Sequence, residues 1–204
     1  MKKGKMLAAL KKVVSTKDSR PILKYIHYSK DGKATATDSH VLLQLDNANP
    51  TGADFLFEPN LFEIKEQEDV GSYPDTSRLI PKECESNFTV SADAVFGLAK
   101  QVKAIPNSWL IDFTYSENYI KAATYDQLNP DTKIELSIPS ETSGDAKFET
   151  TISAQLFKKA IAFFSDYLEK TNDVLTIGYL GQPFRPVLFS AKEAKYLVTP
   201  VRKF

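Results

Sequence analysis

Residues 185–203 read RPVLFSAKEAKYLVTPVRK, and this stretch determines how the end of the chain folds. The pattern predicts an apolar strand over Val187 to Phe189, a polar turn, and a second apolar strand over Tyr196 to Val198. Pro200 follows closely, and because proline has no backbone N–H it ends strand pairing. The residues beyond Pro200 are therefore expected at the surface.

Working back from this tail, the second half of the chain contains the same pattern twice. Each copy reads strand, capped helix and three strands, with Ser91 and Ser153 as the predicted helix caps. A duplication of about 55–60 residues is a strong topological signal. It predicts an α+β fold over residues 87–202, with helices on one face of antiparallel sheets.

The first half holds one complete copy of this pattern. A second copy begins there but stops after its helix, so the three strands that should follow are missing or reduced. A helix is predicted over residues 5–16 and another over residues 59–67, after a short strand at 54–57. The next stretch is rich in Pro, Ser, Asp and Gly, which is typical of a linker. The predicted division is a shortened domain over 1–70, a linker over 71–86 and a complete domain over 87–204.

Composition limits the function classes. The 204 residues include 26 basic and 26 acidic side chains, so only a local cluster could bind nucleic acid. A single cysteine, Cys84, excludes an internal disulfide and indicates a reducing compartment. The apolar run Met6 to Leu10 is too short for a signal peptide or a membrane span. We therefore expect a cytoplasmic protein with no membrane partner.

Catalytic and metal-binding interpretations find little support. His40 lies two residues from Asp38, but no serine or cysteine nucleophile motif accompanies them. Cys84 has no neighbour at metal-ligand spacing, and no Gly-rich phosphate loop occurs. We expect no catalytic residue, no metal site and no cofactor.

Four segments together resemble one known family. They are ATATDSHVLLQL (34–45), GSYPDTSRLIPKE (71–83), YSENYIKAAT (115–124) and YLVTPVRKF (196–204). In this order, and with the duplicated pattern, they resemble the last two of the three domains of the bacterial DNA polymerase sliding clamp, the β subunit of DNA polymerase III. The resemblance implies a DNA clamp fold built from duplicated strand-helix-strand-strand-strand units.

The resemblance also implies a hydrophobic pocket for partner peptides. Its residues would be Thr37, Ser39, His40, Val41, Leu42, Pro74, Arg78, Leu79, Pro186, Val198, Thr199, Pro200, Val201 and Arg202. Four positions depart from the family pattern: Ser39 stands where the family has Gly, Val41 where it has Arg, and Thr199 and Val201 where it has Met. Because methionine suits promiscuous surfaces, this pocket would accept a narrower set of peptides or a different motif.

Clamps line a ring with basic helices that face the DNA backbone, and lysines here follow that placement. The candidate DNA contacts are Lys2, Lys3, Lys5, Lys11, Lys12, Lys100, Lys103, Lys158 and Lys159. Lysine at a phosphate gives a non-specific, salt-sensitive grip. The alternative is that these lysines form only solvated helix faces. The predicted helix at 59–67 is acidic and would contact DNA poorly.

The implied function is that of a non-enzymatic processivity factor, as a phage or mobile-element version. It would encircle duplex DNA and tether a polymerase or repair protein that carries a clamp-binding peptide. Three two-domain copies would form the six-domain ring that clamps use, hence a homotrimer. The alternative is a peptide-binding adaptor or decoy, derived from a clamp, that never encircles DNA.

Overall fold

The computed structural model describes residues 3–129, 131–169 and 172–202, and the chain divides into two compact units. Unit 1 contains the chain up to Ile80 together with Lys192–Leu197. Unit 2 contains Pro81–Ala191 and the chain from Val198 onward. The break at residue 80 lies inside the segment predicted as a linker.

Unit 1 is one helix against an antiparallel sheet. Its elements are α1 (Lys3–Lys11), a 3₁₀ turn (Pro21–Lys24), β1 (Ile26–Tyr28), β2 (Ala34–Thr37), β3 (Val41–Leu45), β4 (Phe55–Glu58), β5 (Glu63–Lys65), the single-turn α2 (Gln67–Val70) and β14 (Ala194–Val198). The strand order is β14-β3-β2-β1-β4-β5. Leu10 in α1 and Val13, two residues after the helix ends, are buried with Ile26 and Leu43 in the core of this unit.

The strand β14 completes this sheet although it lies far along the chain. The Asp46 N–H donates to the carbonyl of Glu193 over 2.8 Å, and the Lys195 ammonium pairs with the Asp46 carboxylate at 2.9 Å. Asn47 Nδ2 donates to Glu193 Oε1 over 2.8 Å. Unit 1 therefore depends on residues that follow nearly all of unit 2.

Both helices predicted for unit 1 differ from the structure. The first ends at Lys11 instead of residue 16, because the Ser15 N–H donates to the carbonyl of Leu23 over 2.8 Å. The second, predicted over 59–67, is wrong: the chain turns and returns as strand β5. Phe62 has φ 59°, its N–H donates to the carbonyl of Glu58 over 2.8 Å, and Ile64 then pairs with Phe57.

Unit 2 contains the duplicated pattern. Its elements are β6 (Ser86–Ser91), α3 (Ala92–Gln101), a 3₁₀ turn (Val102–Ala104), β7 (Leu110–Ser116), β8 (Tyr119–Tyr125), β9 (Lys133–Pro139), β10 (Glu141–Gly144), β11 (Glu149–Ser153), α4 (Ala154–Tyr167), β12 (Val174–Tyr179) and β13 (Val187–Ala191). Two antiparallel sheets form, in the orders β10-β6-β12-β13 and β11-β7-β8-β9. The α+β prediction with duplicated units is confirmed.

The two repeats of unit 2 exchange their first strands. Strand β6 opens the first repeat but pairs with β12 of the second, from Val174↔Ser91 to Tyr179↔Ser86. Strand β11 opens the second repeat but pairs with β7 of the first. Because α3 and α4 also contact each other, both repeats share one core. Phe88, Phe113, Phe148, Phe157 and Phe189 are buried in it.

Ser91 accepts a hydrogen bond from the Ala94 N–H at 3.3 Å, as its predicted capping role requires. Ser153 occupies the same position before α4, without such a bond. Within the described residues, no helix has both the length and the apolar character that a membrane crossing needs.

Candidate functional site

The turn between β2 and β3 is held by its own side chains. The Thr37 hydroxyl donates to the carbonyl of Val41 over 2.6 Å. Asp38 Oδ1 accepts the N–H groups of His40 at 2.8 Å and Val41 at 2.9 Å. Thr37, Val41 and Leu42 are buried by this arrangement, while His40 stays exposed. Of the five residues predicted from this turn, His40 is therefore the one best placed to meet a ligand.

Ser39 has φ 80°, in the left-handed region that favours glycine. The family pattern has Gly at this place, so the backbone conformation is present although the residue differs. The Arg20 guanidinium donates to the Ser39 hydroxyl. Arg20 was not predicted to support this turn, because no local sequence signal connects it with a residue nineteen positions away.

The segment that carries Pro74, Arg78 and Leu79 is anchored on unit 1 by Tyr73. The Tyr73 N–H donates to Gln67 Oε1 over 2.9 Å, its ring lies 5.1 Å from that of His27, and burial raises the pKa of its hydroxyl. The three predicted residues themselves are exposed. A buried tyrosine thus presents the predicted contact residues outward.

Asp54, His27 and Gln67 form a polar cluster, and Tyr73 of the same segment contacts its last two members. Asp54 Oδ1 accepts from Gln67 Nε2 at 2.7 Å and lies 3.2 Å from His27 Nε2. Burial alone would raise the pKa of Asp54. The hydrogen bonds from Gln67 and His27, and the positive charges of His27 and Lys30, outweigh burial and lower that pKa below its usual value.

In unit 2 the tail is fixed beside strand β11. The Val201 N–H donates to the carbonyl of Thr151 over 2.8 Å. Val198 is fully buried, Thr199, Pro200 and Val201 are half-buried, and Arg202 is exposed. Pro186, also assigned to the pocket, is half-buried just before β13.

Val201 and Arg202 line a cleft of about 680 Å³ within unit 2. Its walls come from β7 and β11, whose Asp112 and Thr151 are joined by a 2.6 Å hydrogen bond. Exposed Phe184 adds an aromatic surface. An apolar cleft with a few charged groups at its rim suits an extended peptide segment.

The predicted pocket residues therefore fall in two places. Those from the turn and from residues 74–79 lie in unit 1, whereas Pro186 and the tail from Val198 to Arg202 lie in unit 2. Phe184, Asp112 and Thr151, which line the tail cleft, were not predicted. Asp112 lies on β7, Thr151 on β11 and Phe184 in the 183–185 loop, so these residues meet only in the folded chain.

The predicted DNA-contacting lysines of unit 1 have different environments. Lys5 and Lys12 are exposed, the latter just beyond the end of α1. Lys11 donates to the carbonyl of Pro59 over 3.1 Å and lies 5.8 Å above the Phe62 ring. Lys2 lies outside the described residues, and the side chain of Lys3 is likewise not described.

The lysines of unit 2 lie on or after its two helices. Lys100 is exposed in the last turn of α3, and Lys103 is exposed in the 3₁₀ turn that follows. The Lys158 ammonium donates to the carbonyl of Ile105 at 2.7 Å and to Asn107 Oδ1 at 2.9 Å, and its neighbour Lys159 is half-buried. Lys158 therefore fastens the loop after the 3₁₀ turn to α4.

The described parts of the chain hold no group of three or more His, Cys, Asp or Glu side chains that could bind a metal ion. The Asp38 carboxylate accepts two backbone N–H groups, which is a turn-forming role. Burial raises the pKa of the Cys84 thiol, which disfavours the reactive thiolate.

With this geometry, the fold matches solved bacterial sliding clamps. The β subunit of the Streptococcus pyogenes DNA polymerase is 19% identical, with a TM-score of 0.71 over 98% of this chain and 64% of that chain. DNA polymerase III subunit β from Borrelia burgdorferi, in complex with a natural product, is 17% identical, with a TM-score of 0.77 over 99% and 62%. The Bartonella birtlesii clamp bound to griselimycin is 16% identical, with a TM-score of 0.75 over 98% and 65%.

The chain thus has the fold of the bacterial DNA polymerase III β sliding clamp, and the predicted resemblance is confirmed at the level of fold. It spans 62–65% of the length of these three clamps. No protein-family profile matches the sequence, and no curated protein matches it.

Proposed function

We propose that this chain is a non-enzymatic, cytoplasmic, sliding-clamp-like processivity factor. Copies of it would enclose duplex DNA, and a peptide pocket would tether a polymerase or repair protein. The observation that supports this most is the match of nearly the whole chain, 98–99% of it, to sliding clamps at TM-scores of 0.71–0.77. Three copies would supply the six units of a ring, consistent with the preference of oligomers for closed symmetry.

The peptide-binding part of the proposal is supported in each unit separately. In unit 1, hydrogen bonds from the His40 N–H to Asp38 and from Arg20 to Ser39 fasten the turn that presents His40. In unit 2, the tail cleft combines the apolar surfaces of Val201 and Phe184 with the charge of Arg202. The partner would be a short, extended, largely apolar segment of a polymerase or repair protein.

The DNA-binding part is supported by exposed lysines at Lys5, Lys12, Lys100 and Lys103. With a formal net charge of zero over the whole chain, attraction to DNA would be local and strongly dependent on salt. Such a grip suits sliding, because phosphate contacts carry no sequence information.

The decisive experiment compares retention on closed circular and linearised plasmid. A ring that encircles DNA stays on the circle through a high-salt wash and leaves once the circle is cut, because its retention is topological. Loss from both forms at the same salt concentration would contradict encirclement.

The alternative is a peptide-binding adaptor or decoy that does not encircle DNA. Unit 1 favours it, because after β5 its second copy of the pattern continues only as the single-turn helix α2, Gln67–Val70. An adaptor would bind a clamp-binding peptide with normal affinity and show no difference between circular and linear DNA.

A further inference from the structure

A second cleft of unit 2, which we call the corner cleft, lies where β8, β9 and β10 meet β6 and β12. Its volume is about 690 Å³, close to that of the tail cleft. Its lining residues include none of those predicted for the peptide pocket and none of the lysines predicted to contact DNA. Neither part of the proposed function therefore accounts for it.

Two chain reversals hold the shape of the corner cleft. Glu117 and Asn118 form the tight turn between β7 and β8, with φ 56° and 64°. The Ser140 N–H, where β9 passes into β10, donates to the carbonyl of Asn118 over 2.9 Å. Strand β10 then leaves the sheet of β9 and pairs with β6, with Glu141 opposite Thr89. The turn and the crossover are thus fixed to each other and bring two glutamates to one cleft.

The charge of the corner cleft is negative. Glu117 and Glu141 are exposed, and no lysine, arginine or histidine of the described residues lines the cleft. The N-terminus of α3 borders it, but Ser91 accepts the Ala94 N–H and Asp93 lies in the first turn, which offsets the helix dipole there. A cation is therefore favoured in this cleft and an anion is repelled.

Apolar surface lies beside these carboxylates. Tyr119 is 41% exposed and Val174 is 45% exposed, and both line the cleft. The face of a tyrosine ring attracts a cation, and an alkyl chain gains from covering exposed apolar surface. This combination suits an organic cation better than a hydrated metal ion.

Two hydroxyl groups of the cleft lack hydrogen bonds. The Ser140 side chain is 6% exposed, and its Oγ and the Oγ1 of Thr142 are buried without a hydrogen-bond partner in the described chain. Both residues line the cleft. Buried polar atoms nearly always have a partner, so unpaired ones mark a place where a donor is missing. A hydroxyl oxygen can accept a hydrogen bond from a guanidinium or ammonium N–H.

We propose that the corner cleft binds an organic cation, namely a guanidinium or ammonium group on an alkyl stem, as an arginine or lysine side chain or a polyamine carries. Glu117 and Glu141 pair with the charge, and the stem lies on Tyr119 and Val174. N–H groups of the cation donate to the Ser140 hydroxyl. The site goes beyond the proposed function and does not depend on it.

The first test titrates the full chain with butylguanidinium and follows backbone amide shifts by NMR. Butylurea is the matched neutral ligand, because it has the same shape and no charge. We expect a dissociation constant on the order of 1 mM for butylguanidinium, with the largest shifts at Glu117, Asn118 and Ser140, and at least tenfold weaker binding of butylurea. Equal affinity for the two ligands, or shifts only outside the cleft, would overturn the proposal.

Replacing the carboxylates tests the charge. Glu117→Gln and Glu141→Gln keep the side-chain shape and should each weaken butylguanidinium binding about threefold, and the double variant about tenfold. Glu135→Gln is the control, since Glu135 is an exposed glutamate of β9 that does not line the cleft. A double variant that binds as tightly as the wild type would refute the site.

Ser140→Ala separates a binding role from a structural one. Because the hydroxyl has no hydrogen bond to lose in the free protein, the urea midpoint should stay the same or rise. Binding of butylguanidinium should weaken about threefold. A lowered midpoint with unchanged affinity would show that Ser140 serves only the fold and would contradict its role in binding.

A second pair of ligands distinguishes the sources of the cation. Tighter binding of a blocked Ala-Arg-Ala tripeptide than of butylguanidinium would assign the cleft to a side chain of a partner protein, whereas tighter binding of spermidine would assign it to a free polyamine. Failure of both to bind would overturn the proposal. Glu117→Gln and Glu141→Gln should leave retention on circular plasmid unchanged, so this inference and the proposed function can fail separately.

Discussion

The backbone N–H of Val201 donates to the carbonyl oxygen of Thr151 over 2.8 Å, which fastens the tail to β11. This one bond sets the position of Arg202 at the rim of the tail cleft. Val201 and Arg202 form one wall of the tail cleft without belonging to a strand, and this main-chain hydrogen bond fixes them to the sheet.

Replacing Val201 by proline should detach this wall. Proline lacks the donor, and one hydrogen bond contributes about 1 kcal/mol, so the tail would leave β11 without unfolding unit 2. Titration with a clamp-binding peptide should show about tenfold weaker binding, while urea unfolding changes little. Val201→Ala keeps the N–H and is the control. Equal affinities for the two variants would show that the bond does not position the pocket.

Arg202→Ala and His40→Ala should each weaken the same peptide titration. Arg202 is the exposed cation of the tail cleft and His40 the exposed side chain of the β2–β3 turn. Each truncation should cost about 1–2 kcal/mol of binding, the range for an interface residue of moderate importance. Arg78→Ala, at an exposed residue paired with Asp75, tests whether unit 1 contributes a second cation. Peptide affinity unchanged in both Arg202→Ala and His40→Ala would reject both assignments, that of the tail cleft in unit 2 and that of the β2–β3 turn in unit 1.

Lys158 and Lys159 are neighbours in α4, and we expect the first to contribute to stability and the second to DNA binding. Lys158→Met removes donors from the Ile105 carbonyl and Asn107, and should lower the free energy of unfolding by about 1–2 kcal/mol. Lys159→Met should leave stability unchanged and weaken DNA binding, with the slope of log affinity against log salt reduced by about 1. Urea unfolding and a salt-dependent gel shift measure the two. A reversed pattern would contradict both assignments.

Ser39 should tolerate glycine better than any other residue. Its φ of 80° is strained for a residue with a Cβ, and relief of that strain is worth about 1 kcal/mol. Loss of the hydrogen bond from Arg20 opposes this gain, but that bond joins exposed groups and contributes less. Ser39→Gly should raise the urea midpoint slightly and Ser39→Val should lower it. Ser108→Gly, in an ordinary exposed loop, should bring no gain.

Acid should weaken unit 1 through Asp54. Its pKa in the folded state lies below the usual value of 3.8, so the charged form stabilises the fold above that value, and this contribution is lost as the pH falls through the lowered pKa. Asp54→Asn should therefore reduce stability at pH 7, and the difference from wild type should shrink below about pH 4. Urea unfolding between pH 2.5 and 7 measures this, and parallel curves for the two proteins would exclude the assignment.

The features predictable from the sequence are those written in local patterns. The repeated strand-helix-strand-strand-strand order follows from periodicity, and the Ser91 cap follows from residue type. Strand β10, over Glu141–Gly144, was missed because its polar sequence resembles a loop and only pairing with β6 makes it a strand. The helix predicted at 59–67 failed for the same reason, since pairing with β4 overrides local helix preference.

The candidate site residues also divide into those that a local sequence pattern predicts and those that only long-range contacts bring to the site. The β2–β3 turn and the tail were found from contiguous residues. Arg20, Phe184 and the engagement of Lys158 were not, because each depends on contacts between residues far apart in the chain. The Lys158 contacts span 51 and 53 positions, a separation at which sequence alone gives no distance information.

The late position of β14 has a consequence for synthesis on the ribosome. Unit 1 begins at the start of the chain, yet its sheet stays one strand short until residues 192–197 have been made. Strand β6 likewise waits for β12. Domains generally fold as they emerge, but long-range strand pairing is slow. The sheet of unit 1 therefore stays unfinished until almost all of these residues have been made, whereas the sheet β11-β7-β8-β9 can be complete once Ser153 has been added. The unpaired strand edges of the unfinished sheet are open to aggregation during this time.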